Sequence, residues 1–181
     1  AAKSAIEVEE FAEISEEEIE KVVEETLAPL LRKGGENPAK VVEDLRELMQ
    51  QKVGIIRQGQ QLEEALEELE AFRDREASAS PGGTRVYNPG WHQALEIGAM
   101  IDVSKMCALA AHAREESRGG HTRLDFPVPD YSHWGKINSV IVKGSDGEMK
   151  LSHTRYPPIP DRLKEFLDAE DLHEDEEESN V

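Results

Sequence analysis

Apolar side chains recur every three or four residues through most of the region before Gly119, and this spacing restricts the chain to amphipathic helices. Three start signals divide the region. Ser15 with Glu18 forms a capping box, and the pairs Asn37-Pro38 and Asn88-Pro89 each place a capping side chain before a proline at the first helical position. The sequence therefore predicts a mainly α fold, an antiparallel bundle of three to four helices with short connections.

The apolar stripes of these helices define the expected packing faces. The stripe of the first helix is Ile19, Val22, Val23, Leu27, Leu30 and Leu31. The inward positions of the second are Val41, Val42, Leu45, Leu48 and Met49. Those of the third are Leu62, Ala65, Leu66, Leu69 and Phe72. The longest helix is predicted from about Pro89 to Ser117. Its mostly apolar positions include Trp91, Leu95, Met100, Val103, Cys107, Leu109 and Ala110.

The pattern changes after Pro127. Two runs with strand character flank Ser145-Asp146-Gly147, whose Asp-Gly pair favours a hairpin turn. The YPPIP segment, residues 156–160, indicates an extended proline-rich strap, and residues 161–172 are expected to form a short helix. A small β-hairpin and an extended tail should therefore follow the helical bundle.

Four parts are expected along the chain. Residues 1–14 are interpreted as a linker from a preceding segment, and residues 15–127 as the helical bundle. Residues 128–167 should hold the hairpin, the proline strap and the short helix. Residues 168–181 are predicted to be an acidic disordered tail, because this segment has almost no apolar surface to bury.

The charge of the chain argues against several classes of protein. The net charge of −18 is repelled by the phosphate backbone of nucleic acids, so DNA or RNA binding is not expected. No apolar run reaches the roughly 20 residues that a membrane span needs, and the N-terminus does not have the pattern of a signal peptide. With only one cysteine, Cys107, an internal disulfide is impossible, and this residue is expected to be a small packed side chain rather than a nucleophile.

Common cofactor and metal motifs are missing from the sequence. It contains no GxGxxG turn, no GxxxxGK[ST] loop, no HExxH and no CxxC, and its six histidines are scattered. These motifs therefore give no support for cofactor-binding or metal-binding residues within this chain.

The densest polar stretch is REESRGGHTRLDFP, which runs from Arg114 to Pro127. One interpretation is an active site in which Glu116 or His121 moves protons while Arg118 or Arg123 binds a carboxylate substrate. The other is a network of ion pairs at a helix end, where arginine forks bond the last carbonyl groups and fix the path of the chain. Composition favours the network.

This stretch also resembles the signature R-x-E-S-R-G-A/G-H-x-R-x-D-F/Y-P near the C-terminus of succinate dehydrogenase and fumarate reductase flavoprotein subunits. The matching positions are Arg114, Glu116, Ser117, Arg118, Gly119, Gly120, His121, Arg123, Asp125, Phe126 and Pro127. DLRELMQQKVGIIRQGQQLEEALEELE looks like the family's helix pair, and WHQALEIGAMIDVSKMCALAAHAREESRGGH looks like its long helix. The resemblance covers nearly all of residues 15–167. Gly120 departs from the commoner alanine.

The resemblance implies that this chain is the C-terminal helical domain of such a subunit, with a structural, docking role. In whole subunits of the family, FAD-dependent chemistry interconverts succinate and fumarate, and electrons pass to an iron–sulfur subunit. The implied partners are therefore the flavin-binding and capping domains and that iron–sulfur subunit. The implied location is cytoplasmic, peripheral to the inner face of the membrane. The FAD would belong to the complete subunit, and this chain alone is expected to bind none and to be inactive.

Three alternatives stay open at this point. L-aspartate oxidase shares the architecture and a similar signature, although the segment after Pro127 is longer than expected for that relative. A free-standing acidic helical module that binds a basic partner is a second alternative. The third is an independent acid–base enzyme centred on Glu116 and His121, which would need a ligand-sized pocket lined by both residues.

Overall fold

A computed structural model of the chain describes residue 6, residues 13–164 and residue 166. Most of the expected linker 1–14 and all of the expected tail 168–181 lie outside the described residues. The helices in chain order are α1 (Glu16–Leu31), α2 (Pro38–Lys52), α3 (Gly59–Ser78), α4 (Pro89–Ala113) and α5 (Asp161–Lys164). The strands are β1 (Ile56–Arg57), β2 (Thr122–Arg123), β3 (Ile137–Lys143) and β4 (Met149–Arg155). This confirms the predicted mainly α fold with a small hairpin.

The described residues divide into two compact units, one ending at Pro129 and the other beginning at Asp130. The helices of the first unit begin at the predicted capping residues. The Ser15 hydroxyl accepts a hydrogen bond from the Glu18 N–H, and the Glu18 carboxylate accepts one from the Ser15 N–H, which completes the capping box. The side chains of Asn37 and Asn88 accept hydrogen bonds from backbone N–H groups in the first turns of α2 and α4.

The core of the first unit lies between α2, α3 and α4. The predicted inward residues of α2 and α3 are buried there, with Met49 and Leu66 partly buried against them. From α4 the core receives Ala94, Ile97, Ile101, Ala108 and Ala111. Each of these helices presents its core residues at intervals of three or four, as the spacing requires.

The first helix packs much less closely than its sequence suggests. Only Pro29 is buried in α1, and the stripe residues Ile19, Val22 and Val23 are exposed. A specific contact with the bundle is the Trp91 indole N–H, which donates a 2.8 Å hydrogen bond to the Thr26 carbonyl oxygen. Most of the apolar face of α1 therefore lies at the surface.

Two features of α4 differ from the expectation. The helix ends at Ala113 instead of near Ser117, because Arg114 takes an extended conformation and the chain turns away to bury Glu116. Cys107, predicted to be packed, is exposed, and it lies at the side of α4, about 90° from the direction of its core residues. The prediction for Cys107 was therefore wrong.

The second unit contains the predicted hairpin. Strands β3 and β4 pair antiparallel from Ile137 opposite Arg155 to Lys143 opposite Met149. Gly147 has a φ of +86° in the connecting turn, a conformation that favours glycine. Within this unit Trp134 is buried, with its ring edge-to-face against His153 at 5.1 Å. No helix in the described part of the chain has the length and apolar character to cross a membrane.

Candidate functional site: the arginine-rich turn

The polar stretch Arg114–Pro127, called here the arginine-rich turn, follows directly after α4. A second segment meets it, because β1 pairs in parallel with β2, placing Ile56 opposite Thr122 and Arg57 opposite Arg123. The connection between α2 and α3 is thereby held against the turn. The end of α4, the connection between α2 and α3, and the turn itself all meet at this place.

Glu116 lies at the centre of the turn and is completely buried. Its Oε1 accepts hydrogen bonds from the guanidinium of Arg114 and from the Nε of Arg118, the latter at 3.1 Å. A buried carboxylate is costly unless it is paired and hydrogen-bonded, and two arginines meet that need here. Glu116 therefore holds the two flanking arginines together.

Arg123 is the other buried charge, and it closes the end of α4. Its Nη1 donates hydrogen bonds to the carbonyl oxygens of Ala111, His112 and Arg114 at 3.0, 2.8 and 3.3 Å. The last carbonyl groups of a helix have no partner within the helix, and a cation there also interacts favourably with the helix dipole. Arg123 therefore acts as a side-chain cap for α4.

Asp125 connects this cap to the next helix. Its two oxygens accept hydrogen bonds from Nε and Nη2 of Arg123 at 2.8 and 2.7 Å, and Oδ2 also accepts from the Gly59 N–H at 3.0 Å, at the start of α3. The Arg123 guanidinium, with the Gly59 N–H assisting, holds the pKa of Asp125 well below its usual range. A Cβ at position 59 would lie 2.9 Å from Oδ2, so glycine permits this close approach.

His121 connects the turn to the segment before α3. Its Nε2 lies 3.0 Å from the carbonyl oxygen of Arg114 and must donate there, whereas Nδ1 lies 2.6 Å from Nη1 of Arg57 and must accept. This pair of bonds requires the neutral imidazole protonated on Nε2. Burial, together with the charges of Arg57, Arg114 and Arg123, lowers the pKa of His121 below its ordinary value of 6.5.

The remaining signature residues shape the backbone. Gly119, with a φ of +59°, and Gly120 form a two-residue turn in which the backbone groups of Arg118 and His121 bond each other at 2.8 and 3.1 Å. The Ser117 hydroxyl accepts from the Arg123 N–H at 2.8 Å and lies 2.8 Å from the Phe126 carbonyl oxygen, to which it donates.

Two further signature residues lie at the end of the turn. The guanidinium of Arg123 stacks over the Phe126 ring at 4.9 Å from its centroid. Pro127 is exposed.

The arrangement favours a structural network over an acid–base site. The proposed proton carrier Glu116 is already bonded to two arginines, and the proposed substrate binder Arg123 is occupied by helix carbonyls and Asp125. No buried side-chain nitrogen or oxygen in residues 13–164 is without a hydrogen-bond partner. Sequence reasoning did not assign Arg57 and Gly59 to this site, although Arg57 ends the stretch that resembles the family's VG-I-x-R pattern. They join the turn through the bonds from Arg57 to His121 and from the Gly59 N–H to Asp125, which span more than 60 residues of sequence.

Comparison with known proteins places this geometry in a family. A family model described as fumarate reductase flavoprotein C-term matches residues 42–173, which include the whole arginine-rich turn. The chain is 33% identical over 131 residues to the fumarate reductase flavoprotein subunit of Mycobacterium tuberculosis, covering 69% of this chain and 22% of that protein. It is 34% identical over 125 residues to the succinate dehydrogenase flavoprotein subunit of Coxiella burnetii, covering 68% and 20%.

Solved structures show the same fold. A chain of the Mycobacterium smegmatis Sdh1 complex in the apo form superposes with a TM-score of 0.80 at 32% identity, covering 96% of this chain and 30% of that one. A quinol–fumarate reductase structure with menaquinol molecules superposes with a TM-score of 0.67 at 25% identity, covering 82% and 27%. The chain thus spans about a fifth of the length of the curated relatives it matches.

Proposed function

We propose that this chain is the helical docking domain of a fumarate reductase or succinate dehydrogenase flavoprotein subunit. The chain belongs to the family formed by the C-terminal domains of these subunits. The complete subunit would interconvert succinate and fumarate through FAD. The observation that carries this proposal is the family match over residues 42–173, which includes most of α2, all of α3 and α4, and the arginine-rich turn.

The role proposed for the arginine-rich turn is to fix the orientation of the helices. Three connections support this role. Arg123 binds the end of α4, Asp125 binds the start of α3, and His121 binds Arg57 in β1. The network joins these elements through charged hydrogen bonds. A small displacement of one element would therefore leave buried polar groups on another without hydrogen-bond partners. The turn would therefore present α3 and α4 to the rest of the subunit as one rigid surface.

The flavin would be held elsewhere in the subunit, because the described residues do not fit it. A dinucleotide site needs a glycine-rich turn after a strand, with the pyrophosphate at the N-terminus of the next helix. Here β1 does precede α3, but the carboxylate of Asp125 occupies the helix N-terminus and accepts from the Gly59 N–H. We therefore propose that this chain binds no FAD by itself and has no succinate or fumarate activity alone.

The further partners are proposed by likeness to the relatives. The matched structures are named as an Sdh1 complex and a quinol–fumarate reductase. By this likeness we propose that an iron–sulfur subunit receives the electrons, and that the chain lies on the cytoplasmic side, peripheral to the membrane.

The parental reading frame and flavin binding test this proposal. Upstream of Ala1 we expect a flavin-binding segment with a GxGxxG turn, and an unrelated domain there would favour a free-standing acidic module instead. Titration of FAD into the 181-residue chain should leave flavin fluorescence unchanged, and succinate-dependent dye reduction should stay at background. Stoichiometric quenching of flavin fluorescence by this chain would refute the proposal that the FAD is held by another part of the subunit.

A further inference from the structure

Helix α4 is apolar on two opposite faces. One face carries the core residues already described. The other carries Leu95, Ala99, Val103, Met106 and Cys107, all of them exposed, and is called here the outer face. Val103 is 58% exposed and Leu95 41%. At 100° per residue the centre of the outer face lies about 160° from the centre of the core face, and Cys107 lies at its edge. Apart from the exposed His92 and Glu96 the outer face is apolar, and an exposed apolar patch of this kind is typical of a surface that binds another protein.

The outer face continues towards the arginine-rich turn. Arg57 in β1 bonds His121, which in turn bonds the carbonyl oxygen of Arg114 just beyond α4, so β1 lies close to the end of α4. Beside Arg57, Ile56 is 63% exposed, and Leu124, which follows β2, is 61% exposed. The two short strands therefore extend the apolar surface to the turn that the proposed function assigns to interdomain contact.

We propose that the outer face of α4, together with Ile56 and Leu124, is the surface on which the flavin-bearing part of the same subunit docks. This inference rests on the proposed function and adds the location of the contact. The chain spans about a fifth of its relatives' length, so most of such a subunit is available to cover this surface.

The charged residues of α4 argue against a second copy of the chain as the occupant. Asp102 and Lys105 are paired with Arg73 and Glu70 of α3, so they belong to the bundle. Glu96 is exposed among the residues of the outer face, and a second copy related by twofold symmetry would bring its own Glu96 to the same contact, where like charges oppose association.

The surroundings of the outer face indicate the chemistry of its partner. Trp91, near the start of α4, hydrogen-bonds the Thr26 carbonyl oxygen of α1, and α1 carries six glutamates and one lysine. The partner surface should therefore be apolar in its centre and basic at its edge. The flavin-bearing part of the subunit is expected to carry lysine or arginine at that edge.

Cys107 provides a direct probe, because it is the only cysteine of this chain and lies on the outer face. The 181-residue chain is mixed with the flavin-bearing remainder of the parental reading frame, expressed as a separate protein. Alkylation of Cys107 by iodoacetamide is followed by mass spectrometry of its peptide. We expect the alkylation rate to fall at least tenfold when the remainder is present in excess.

Two substitutions test whether the outer face itself makes the contact. Val103→Arg should restore the free alkylation rate and weaken the complex at least tenfold, because it places a charge in an apolar contact. Val86→Arg is the matched control, since Val86 is 68% exposed in the loop before α4, and it should leave protection unchanged. Circular dichroism should show both variants folded, because both positions are exposed. Leu95→Arg, at the other end of the outer face, should likewise weaken the complex and restore the alkylation rate of Cys107.

The outcomes separate this inference from the proposed function. If the flavin-bearing remainder binds the chain but Cys107 is alkylated as fast as in the free chain, the outer face is not the contact, and the proposed function stands. Protection of Cys107 in the chain alone, rising with concentration and accompanied by a dimer in sedimentation, identifies a second copy as the occupant and overturns the inference. A reading frame without a flavin-binding segment overturns both.

Discussion

Replacing Arg123 with alanine should cost more stability than any other change in the arginine-rich turn. The side chain is 3% exposed and its guanidinium donates five hydrogen bonds, three to helix carbonyls and two to Asp125. Removing one partner of a buried ion pair costs about 3–5 kcal/mol. Asp125 is 31% exposed, so water recovers part of that loss, but the Ala111 carbonyl stays buried, and stranding such a group costs about 1–3 kcal/mol. We expect a net loss of about 3–5 kcal/mol.

Thermal and urea unfolding, followed by circular dichroism, measure this loss. For a chain of this size the melting temperature should fall by about 6–20 °C. Arg123→Lys should lose most of the same stability, because an ammonium group cannot bind Asp125 through two parallel hydrogen bonds. Arg46→Ala is the matched control on an exposed position of α2 and should change the unfolding free energy by less than about 0.5 kcal/mol. A loss below about 1 kcal/mol for Arg123→Ala would refute its role as the cap that orders the turn.

Three further changes test other parts of the first unit. His121 is neutral in the fold and its pKa is lowered, so between that pKa and 6.5 the unfolded chain binds more protons than the folded chain. The free energy of unfolding should therefore fall as the pH drops through this window. Urea unfolding of His121→Asn should show a flatter dependence of stability on pH, and a slope equal to that of the unsubstituted chain would contradict the assignment. Arg118→Ala should lower the free energy of unfolding by about 1–2 kcal/mol, since Glu116 keeps its hydrogen bonds with Arg114. An unchanged melting temperature would instead assign Arg118 to contacts outside this chain. Asn88→Ala should cost about 1 kcal/mol through the lost cap of α4, and Asn88→Asp should cost less in a thermal melt because its oxygen can still accept there.

The helices and the hairpin could be predicted because their signals are local. The capping box at Ser15, the Asn37 and Asn88 caps and the Asp146-Gly147 turn each act within a few residues, and the structure contains all of them. Such features depend on backbone groups that the neighbouring side chains can reach whatever the rest of the fold does. The same holds for the core faces of α2 and α3, where one apolar stripe has one possible direction.

The end of α4 could not be predicted in the same way. The segment from Arg114 to Arg118 contains no glycine or proline, so local preference allows the helix to continue. It ends at Ala113 because Arg123, nine residues beyond Arg114 along the chain, bonds the last carbonyls, and because Glu116 is buried between arginines. The parallel pairing of β1 with β2 is equally invisible to periodicity, since two-residue strands have no pattern to read.

The burial of α4 illustrates a different limit. Periodicity identifies an inward face only when the other face is polar, and α4 offers apolar residues on both. Ile97 and Ile101 are buried while Val103 and Cys107 are exposed, although their side chains would suit either position. The choice is made by α2 and α3, which cover one face and leave the other open. Cys107 was assigned to the interior because helical position alone does not distinguish the two faces. The exposed second face is itself informative, because a contiguous exposed apolar patch is typical of a surface that binds another protein.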